Sequence, residues 1–303
     1  MKKWMWIASF GLLATNFIAP VAAEPWTLPR GGVFATASLL GTRSRSLFNN
    51  SADRVAFLNN GLSRVGGMTL DGAYGVLDAL TVSASVPVLL YSLKDDFVQE
   101  EGLSLGDIRG SVRYRLLNRT LVSSVEVALK FPTATEADPV RIQVGEGQYD
   151  IDLIWSLGWN RLPVSASLDL GYRKRLRNSD TSFRPGDEIP FRIRGNYQLS
   201  PRLFAGLSLD GFWGAAGSTN AFNFDIQTSR SVRRLVNLIP AMSYHLTDHI
   251  GLDLSMSLPL MGRNYYAGRL VILGMTFGSS KARFAGNGTL VPSPRGGSCC
   301  SIQ

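Results

Sequence analysis

Apolar and polar residues alternate with a period of two through most of the chain after residue 30. In the segment Val164–Arg175 the even positions as far as Tyr172 are apolar, while the odd positions carry serine, aspartate, glycine or arginine. Successive side chains of an extended chain point to opposite sides, so this period predicts strands with one apolar face and one polar face. The pattern therefore favours a sheet protein whose two faces meet different surroundings.

Twelve segments follow this alternation and are predicted to be strands. The tenth is the least regular, because Pro240 interrupts it and because Leu235 and Ile239 occupy positions of its polar face. The last segment, Tyr265–Phe277, ends on an aromatic residue. The predicted strands cover residues 31–42, 64–76, 80–90, 106–116, 124–130, 149–157, 164–175, 189–199, 203–210, 233–246, 250–258 and 265–277.

The connections between these segments alternate in length along the chain. Those after the first, third, fifth, seventh and ninth segments are long, covering residues 43–61, 92–105, 132–147, 177–187 and 214–231, and those after the even segments are tight. The short connection after the eleventh segment breaks the alternation. Short turns at one rim, long loops at the other and an even strand number are typical of outer-membrane barrels. We therefore expect an all-β protein, a transmembrane antiparallel up-and-down β-barrel of about 12 strands.

The first residues resemble a secretory signal, with two lysines, an apolar run from Trp4 to Phe17 and small residues up to Ala23. We predict a cleaved N-terminal signal peptide at residues 1–23, a barrel at residues 24–277 and a flexible C-terminal tail at residues 278–303. The tail is rich in proline, glycine and serine. It also holds the adjacent cysteines Cys299 and Cys300, which cannot link distant parts of a core.

The chain is basic, with a formal net charge of +8 that falls to +6 when Lys2 and Lys3 leave with the signal. Of its 31 basic residues, 25 are arginine, a side chain suited to fixed and paired positions. Hydrophobic residues make up 45% of the chain, which fits a soluble protein and a membrane barrel equally well. Composition alone therefore does not separate these two classes.

If the apolar faces point outward, the opposite faces line a lumen that is dense in charge. Arg173, Arg175, Arg192 and Arg194 lie on neighbouring predicted strands and are expected to form a basic patch towards the outer mouth. The predicted lumen and solute-pathway residues are Arg109, Arg113, Arg115, Glu126, Lys130, Asp150, Asp152, Asp169, Arg173, Arg175, Arg192, Arg194, Asp210 and Asp253.

These charges have two interpretations. The arginines could form a constriction that attracts anions, as rings of arginine do in pores. They could instead pair with the lumen carboxylates and fill a narrow barrel, because a lumen of twelve strands lies between the filled interior of eight strands and the open channel of sixteen. The crowding of so many charged side chains favours the second interpretation.

Several other kinds of chemistry find little support in the sequence. The chain has two histidines, His245 and His249, near a tight turn, and neither has the neighbours that a nucleophilic serine needs. No spacing of cysteine or histidine indicates a metal site, and we expect no cofactor and no enzymatic activity. The arginines alternate with apolar residues on an exported chain, so we expect no nucleic acid as a partner.

Several short motifs occur in an ordered series: Gly106-Asp-Ile108, Lys130-Phe-Pro-Thr133, Gly145-Glu-Gly-Gln-Tyr-Asp-Ile151 and the final aromatic Phe277. With the leader and the alternating segments, they resemble the Gram-negative outer-membrane proteins of the meta-pathway of phenol degradation, which are regarded as transporters. The resemblance covers about residues 32–277. It implies an outer-membrane barrel with a role in uptake of small, aromatic or hydrophobic compounds, and Phe277 as the assembly signal. The residues after Phe277 depart from the family pattern, in which the chain ends at the aromatic.

The predicted function is passive uptake of small solutes across the cell outer membrane through a narrow lumen lined by Arg and Asp. The alternative is a non-conducting structural or adhesive barrel whose extracellular loops bind ligands. The expected partners are outer-membrane lipids and lipopolysaccharide, the barrel assembly machinery and a small-molecule solute. The protein is expected to be a monomer.

Overall fold

The computed structural model describes residues 25–97, 99–133, 147–178, 183–219, 232–279, 282–284 and 290–292. The predicted signal peptide and the cysteine pair Cys299 and Cys300 lie outside these residues. The strands are β1 Val33–Ser44, β2 Ser46–Phe48, β3 Arg54–Ala56, β4 Leu62–Leu77, β5 Leu80–Lys94, β6 Gln99–Leu105, β7 Ile108–Asn118, β8 Leu121–Phe131, β9 Asp150–Arg161, β10 Val164–Arg175, β11 Phe183–Arg184, β12 Glu188–Ser200, β13 Leu203–Gly214, β14 Ser218–Thr219, β15 Arg234–His245, β16 Ile250–Arg263, β17 Tyr265–Tyr266, β18 Arg269–Gly278, β19 Ala282–Phe284 and β20 Leu290–Pro292.

Twelve of these strands form one closed antiparallel barrel, as the alternation predicted. In order around the wall they are β1, β4, β5, β7, β8, β9, β10, β12, β13, β15, β16 and β18. The barrel closes where the first and last strands pair, with Phe34 opposite Gly278 and Arg43 opposite Arg269. Closure leaves no free edge between the first and last strands, so their backbone groups pair with each other.

The outer surface of the wall is apolar because one parity of every strand faces outward. Leu39 in β1 is 59% exposed, Leu207 in β13 is 53% exposed and Leu254 in β16 is 50% exposed. In water such a surface would be costly, whereas in a bilayer the same side chains contact hydrocarbon. Among the described residues, no helix has the length and apolar character needed to cross a lipid bilayer.

The two rims of the barrel differ in their connections. The short-turn rim holds residues 78–79, 119–120, 162–163, 201–202 and 246–249, which join β4 to β5, β7 to β8, β9 to β10, β12 to β13 and β15 to β16. The start of β1 and the end of β18 lie at this rim too, since the Gly278 amide donates to the His249 carbonyl at 2.8 Å. The other connections lie at the long-loop rim, in the alternation that the sequence predicted.

Several predicted boundaries differ from the structure, and two of the differences change the strands themselves. The closing strand begins at Arg269, because Tyr265 and Tyr266 form the separate strand β17, which pairs with β2. The segment predicted as a loop at 92–105 contains β6, which pairs with the half of β5 nearest the long-loop rim. Acidic residues at 100 and 101 hid the alternation of β6, and the neighbouring strand supplies the pairing that sequence alone does not show.

Three further short sheets belong to segments that the sequence assigned elsewhere, and one of them pairs β11 with β14 in the predicted loops 177–187 and 214–231. Strands β2 and β3 lie in the predicted loop 43–61 and, with β17, form a three-stranded sheet at the long-loop rim. Strands β19 and β20 pair with each other within the predicted tail. The remaining residues of the predicted tail after Pro292 lie outside the described part of the chain.

Candidate functional site: the barrel lumen

The inward parity places the predicted lumen residues on the inner wall, where cross-strand partners bring most of them together. Arg109 and Arg113 of β7 face β8, Asp150 and Asp152 of β9 face β10, and the pairing registers set Arg113 opposite Glu126 and Arg173 opposite Asp152. The inner sides of β7, β8, β9, β10 and β12 thus form one continuous ionic surface, here called the charged wall.

Carboxylates at the centre of the charged wall each receive more than one guanidinium. Arg113 forms an ion pair with Glu126, and Arg109 forms one with Asp152. Arg173 also holds Asp152 in a two-pronged contact, its Nε and Nη2 donating to the two carboxylate oxygens at 2.8 and 3.2 Å. Paired donors of this kind fix the geometry of both side chains; that of Asp152 is almost fully buried and that of Arg173 is 17% exposed.

Glu188 holds together the part of the charged wall nearest the long-loop rim. This residue was not among the lumen residues predicted from the sequence. It accepts hydrogen bonds from Arg233 at 2.6 Å, from Arg175 at 3.0 Å and from Arg173 at 3.1 Å. The prediction began this strand at Ile189, one residue too late. Continuing the inward parity of Arg192 and Arg194 backwards past Pro190 leads to Glu188, and that signal could have found it.

Lys130 extends the wall towards the long-loop rim. Its Nζ lies 2.8 Å from Asp150 Oδ2 and 3.1 Å from Asp107 Oδ2. The same Asp150 carboxylate lies 3.6 Å from Arg175 Nε. Lys130 and Arg175 are therefore each shared between two carboxylates, and the wall carries alternating charges from β7 to β12.

The remaining predicted residues lie apart from this centre. Arg192 donates to Asp210 Oδ2 at 3.1 Å, and Asn237 donates to the other oxygen of that carboxylate at 3.2 Å. Asp253, across the barrel, accepts from the hydroxyls of Ser243 at 2.5 Å and Thr276 at 2.7 Å.

Three predicted residues complete the set. Asp169 is buried opposite Arg192 and Ser156, and Arg194 lies opposite Ser167 and Ser208. Arg115 lies at the short-turn rim, where its backbone amide donates to the Ala79 carbonyl at 2.8 Å. The structure therefore sets Arg115 away from the ionic centre with which the sequence grouped it.

The four arginines predicted to form a basic patch do not form a surface of uncompensated positive charge. Arg173 and Arg175 share Glu188, and Arg192 pairs with Asp210. The sequence placed these side chains on one wall but did not identify the acidic partners. The geometry is that of the second interpretation above, in which lumen cations and carboxylates pair with one another.

The opposite side of the lumen is apolar in its half nearest the long-loop rim, and this apolar wall was not predicted. Inward positions there carry Val65, Leu89, Phe212 and Leu235, all buried. The sheet of β2, β3 and β17 folds against them. The residues that cover these four are Phe48, Phe57, Tyr265, Tyr266 and Ala267.

Close packing holds this cover in place. The ring centroids of Phe212 and Tyr265 are 5.5 Å apart and those of Phe57 and Tyr266 are 5.6 Å apart, both edge to face. A Cβ added at Gly262 would lie 2.4 Å from the Phe48 ring, so glycine is required for this contact. Leu235, which looked like a defect in the polar face of its strand, is part of this packing.

Residues 25–32 form an arm that crosses the lumen at the short-turn rim. At one side, Pro25 lies against Gly158 of β9, where an added Cβ would be 2.3 Å from the proline ring. At the other side, the Leu28 amide donates to Thr81 Oγ1 of β5 at 2.8 Å, and the Thr27 hydroxyl donates to the Asp78 carbonyl at 2.7 Å. The arm thus bridges wall strands that are not neighbours and narrows this end of the barrel.

His245, considered above as a catalytic candidate, lies on the inner wall at the short-turn rim. Its ring is buried and lies 4.8 Å from the ring of Phe204, in a tilted arrangement. A ring contact of this kind is typical of a histidine that packs as part of the wall.

The family model described as "Putative MetA-pathway of phenol degradation" matches residues 49–273 of the sequence. The chain belongs to this family. The resemblance drawn from the motifs is thereby confirmed. Comparison of the sequence with curated proteins finds no match.

Solved structures with a similar fold are outer-membrane barrels. An outer membrane channel from Pseudomonas putida F1 has 16% sequence identity and a TM-score of 0.67, over 85% of this chain and 98% of that one. The toluene transporter TbuX of Ralstonia pickettii has 11% identity and a TM-score of 0.43, over 84% of this chain and 92% of that one. At such identities the likeness of the first concerns the fold, which is that of an outer-membrane barrel.

Proposed function

We propose that this protein is an outer-membrane channel through which small solutes, aromatic or otherwise hydrophobic compounds among them, pass passively. The observation that carries the proposal is the closed wall itself: apolar on its outer surface, and lined inside by a charged wall that faces an apolar wall. Membership of the phenol-degradation family agrees with this solute class. No cofactor and no catalytic residue are part of the proposal.

The orientation in the membrane follows from the two rims. In barrels of this kind the short turns face the periplasm and the long loops face the exterior. The long-loop rim, with the apolar wall beneath it, is then where a solute enters, and the arm of residues 25–32 lies at the periplasmic exit. The signal peptide predicted at residues 1–23 provides the route of export.

The charged wall supports a balanced lumen better than an anion-selective one. Its cations share carboxylates, so the field of each is largely cancelled by a neighbour within about 3 Å. Such a wall keeps water and polar groups in the lumen without holding a small ion strongly. The apolar wall is covered by the sheet of β2, β3 and β17, so a flat hydrophobic solute would reach its aromatic rings when that cover moves.

Assembly and stoichiometry complete the proposal. Phe277 lies at the end of β18 with its side chain outward and 49% exposed. An exposed aromatic on the last strand is available to the barrel assembly machinery while the strand is still unpaired. A wall closed through β1 and β18 needs no second copy to complete it, which supports a monomer.

The second candidate function is a non-conducting structural or adhesive barrel with ligand-binding loops. The observation in its favour is that both ends of the lumen contain chain: the arm at the short-turn rim, and the sheet of β2, β3 and β17 at the other. If neither moves, no solute passes, and the loops remain as the functional surface.

Conductance of the purified protein in planar bilayers decides between the two. We expect small ion steps from the wild type and larger ones from Trp26→Ala, which removes a large side chain of the arm that packs beside Gly158. Trp213→Ala, on the outward face of β13, is the matched control and should leave conductance unchanged. Liposomes containing the protein should also take up phenol faster than empty liposomes. If neither the wild type nor Trp26→Ala shows ion steps, and phenol uptake does not increase, the second candidate function remains.

A further inference from the structure

Three arginines stand side by side on the outer surface of the barrel, on three adjacent strands. Arg43 of β1 pairs in register with Arg64 of β4 on one side and with Arg269 of β18 on the other. All three are exposed. Directly opposed positions in a sheet are about 5 Å apart, so this arginine row concentrates three positive charges within about 10 Å.

The position of the arginine row relative to the membrane follows from β1. Arg43 has the same parity as Val33, Ala37 and Leu39, whose side chains face hydrocarbon. It lies ten residues beyond Val33 towards the long-loop rim, about 25 Å along the axis of a barrel whose strands tilt by about 40°. That distance is the height of the apolar band, so the row lies where the hydrocarbon ends and the lipid headgroups begin.

Nothing in the described part of the chain neutralises this row. The guanidinium groups of Arg43, Arg64 and Arg269 form no ion pair and no hydrogen bond with any described residue, unlike Arg173 inside the lumen. The next residues around the wall are Ser92, opposite Arg64, and Glu101, which accepts from the Ser92 hydroxyl at 3.2 Å. Like charges in direct opposition destabilise a sheet, so an anion that lies between them would stabilise this one.

The lipid-facing surface just below the row is shallow. Gly41 and Gly66 are cross-strand partners with outward parity, one step nearer the hydrocarbon than Arg43 and Arg64. An added Cβ would meet no atom within 4 Å at Gly41 and only the Leu40 carbonyl oxygen, at 3.8 Å, at Gly66. The fold therefore does not require glycine there. Their lack of side chains leaves a depression, bordered by Leu90 and Val271, in which an acyl chain could lie against the backbone.

We propose that the arginine row binds the phosphate groups of lipopolysaccharide in the outer leaflet, with an acyl chain of the same lipid over Gly41 and Gly66. Guanidinium groups match phosphate oxygens with two parallel hydrogen bonds, which makes arginine better suited than lysine to this task. The proposal uses the orientation given above but is independent of conduction, because the row lies on the opposite side of the wall from the lumen.

The test measures how much lipopolysaccharide the folded, full-length protein retains. Wild type and the variant Arg43→Gln/Arg64→Gln/Arg269→Gln are loaded with purified lipopolysaccharide in detergent, washed, and analysed by native mass spectrometry. We expect at least about tenfold lower retention by the variant, since each basic residue near a lipid surface contributes substantially to binding. Arg119→Gln/Arg161→Gln/Arg202→Gln, which removes the same charge at the opposite rim, is the control and should retain as much as wild type.

Three further measurements test the parts of the proposal separately. Gly41→Leu/Gly66→Leu keeps every charge and should also reduce retention, because it fills the depression. Dephosphorylated lipopolysaccharide should bind wild type as weakly as it binds the arginine variant. Millimolar inorganic phosphate should not displace the bound lipid. Folding of each variant is checked by the shift of the unboiled barrel in gel electrophoresis, and Arg43→Gln alone replaces the triple variant if that one does not fold.

Equal retention by wild type and the arginine variant would overturn the proposal. So would an equal loss in the control at the opposite rim, which would indicate a general effect of charge. Displacement of the bound lipid by millimolar inorganic phosphate would overturn the assignment to lipopolysaccharide.

Discussion

The two walls of the lumen occupy equivalent inward positions of the same barrel yet are stabilised in opposite ways. On the charged wall, side chains of neighbouring strands satisfy one another, as Arg173 does with Asp152 and Glu188. On the apolar wall, inward residues such as Phe212 and Leu235 pack against apolar side chains and are covered by the sheet of β2, β3 and β17. The interior of this barrel therefore combines an ion-pair network with a packed hydrophobic core near the long-loop rim.

The contrast shows what an inward position requires. Polarity is one way to occupy the lumen, because ion pairs satisfy charges that water cannot fully reach. A second way is to bring loop residues inside and exclude water altogether. Arg233 joins the two solutions, since it donates to Glu188 and its guanidinium carbon lies 5.9 Å from the centre of the Phe212 ring.

Removing Glu188 should have the largest effect on this arrangement. Glu188→Ala leaves Arg173, Arg175 and Arg233 without the carboxylate that they share, and we expect the free energy of unfolding in lipid vesicles to fall by about 4 kcal/mol. Asp248→Ala, in an exposed turn at the other rim, removes the same charge and should cost little. A loss below about 1 kcal/mol for Glu188→Ala would mean that the charged wall does not depend on this shared carboxylate.

Opening the apolar wall should have a somewhat smaller effect, confined to its cover. Phe48→Ala removes a buried ring and should cost about 3 kcal/mol, at the lower end for phenylalanine, because the cover can collapse locally. Trypsin should then cleave after Arg45 and Arg54 faster than in wild type. Leu58→Ala, exposed in the same loop, is the control. Unchanged cleavage in Phe48→Ala would show that the cover does not depend on this ring.

The smallest expected change in stability is at the long-loop rim of the charged wall, in the loop before β12. Burial alone would raise the pKa of Asp187, but hydrogen bonds from Lys174 and Tyr172 more than offset it and hold that pKa below the ordinary value. A carboxylate whose pKa is lowered by folding stabilises the fold above its unfolded pKa, and that contribution is lost as pH falls through the lower folded value.

Asp187→Asn should therefore be less stable than wild type at pH 7, and the difference should begin to shrink as pH falls below about 4 and should vanish only below the lower folded pKa of Asp187. Unfolding of both proteins across a pH series measures this. Asp248→Asn, in an exposed turn at the other rim, is the control for the loss of one carboxylate charge. A difference that is independent of pH would mean that Asp187 acts through its shape and not its charge.

Most of the barrel could be predicted from residues that are neighbours in sequence. In Val164–Arg175 the polarity of each side chain matches the side of the wall that it faces. The alternation alone therefore predicted the strand and the inward side of Asp169 and Arg173. The alternation of loop lengths similarly indicated the two rims. The alternation of apolar and polar residues within the strands also placed Arg192 and Asp210 on the lumen side, where they form an ion pair.

The parts that could not be predicted depend on residues far apart in the chain. Glu188 meets Arg233 across 45 residues, and Arg54 donates to the Ala267 carbonyl across 213 residues. β6 pairs along half of β5, and no local signal separates it from a polar loop. Register and barrel closure decide such contacts, and neither can be read from a single segment.

The sequence by itself determined that this chain is a barrel with an apolar exterior and a lumen rich in paired charges, because hydrocarbon and water each select the residues they touch at every second position. Only the tertiary structure decided which charges share a carboxylate, that one side of the lumen is apolar near the long-loop rim, and that Arg43, Arg64 and Arg269 stand in one row. Those features depend on which strands become neighbours when the sheet closes, and the period of a strand contains no information about its neighbours.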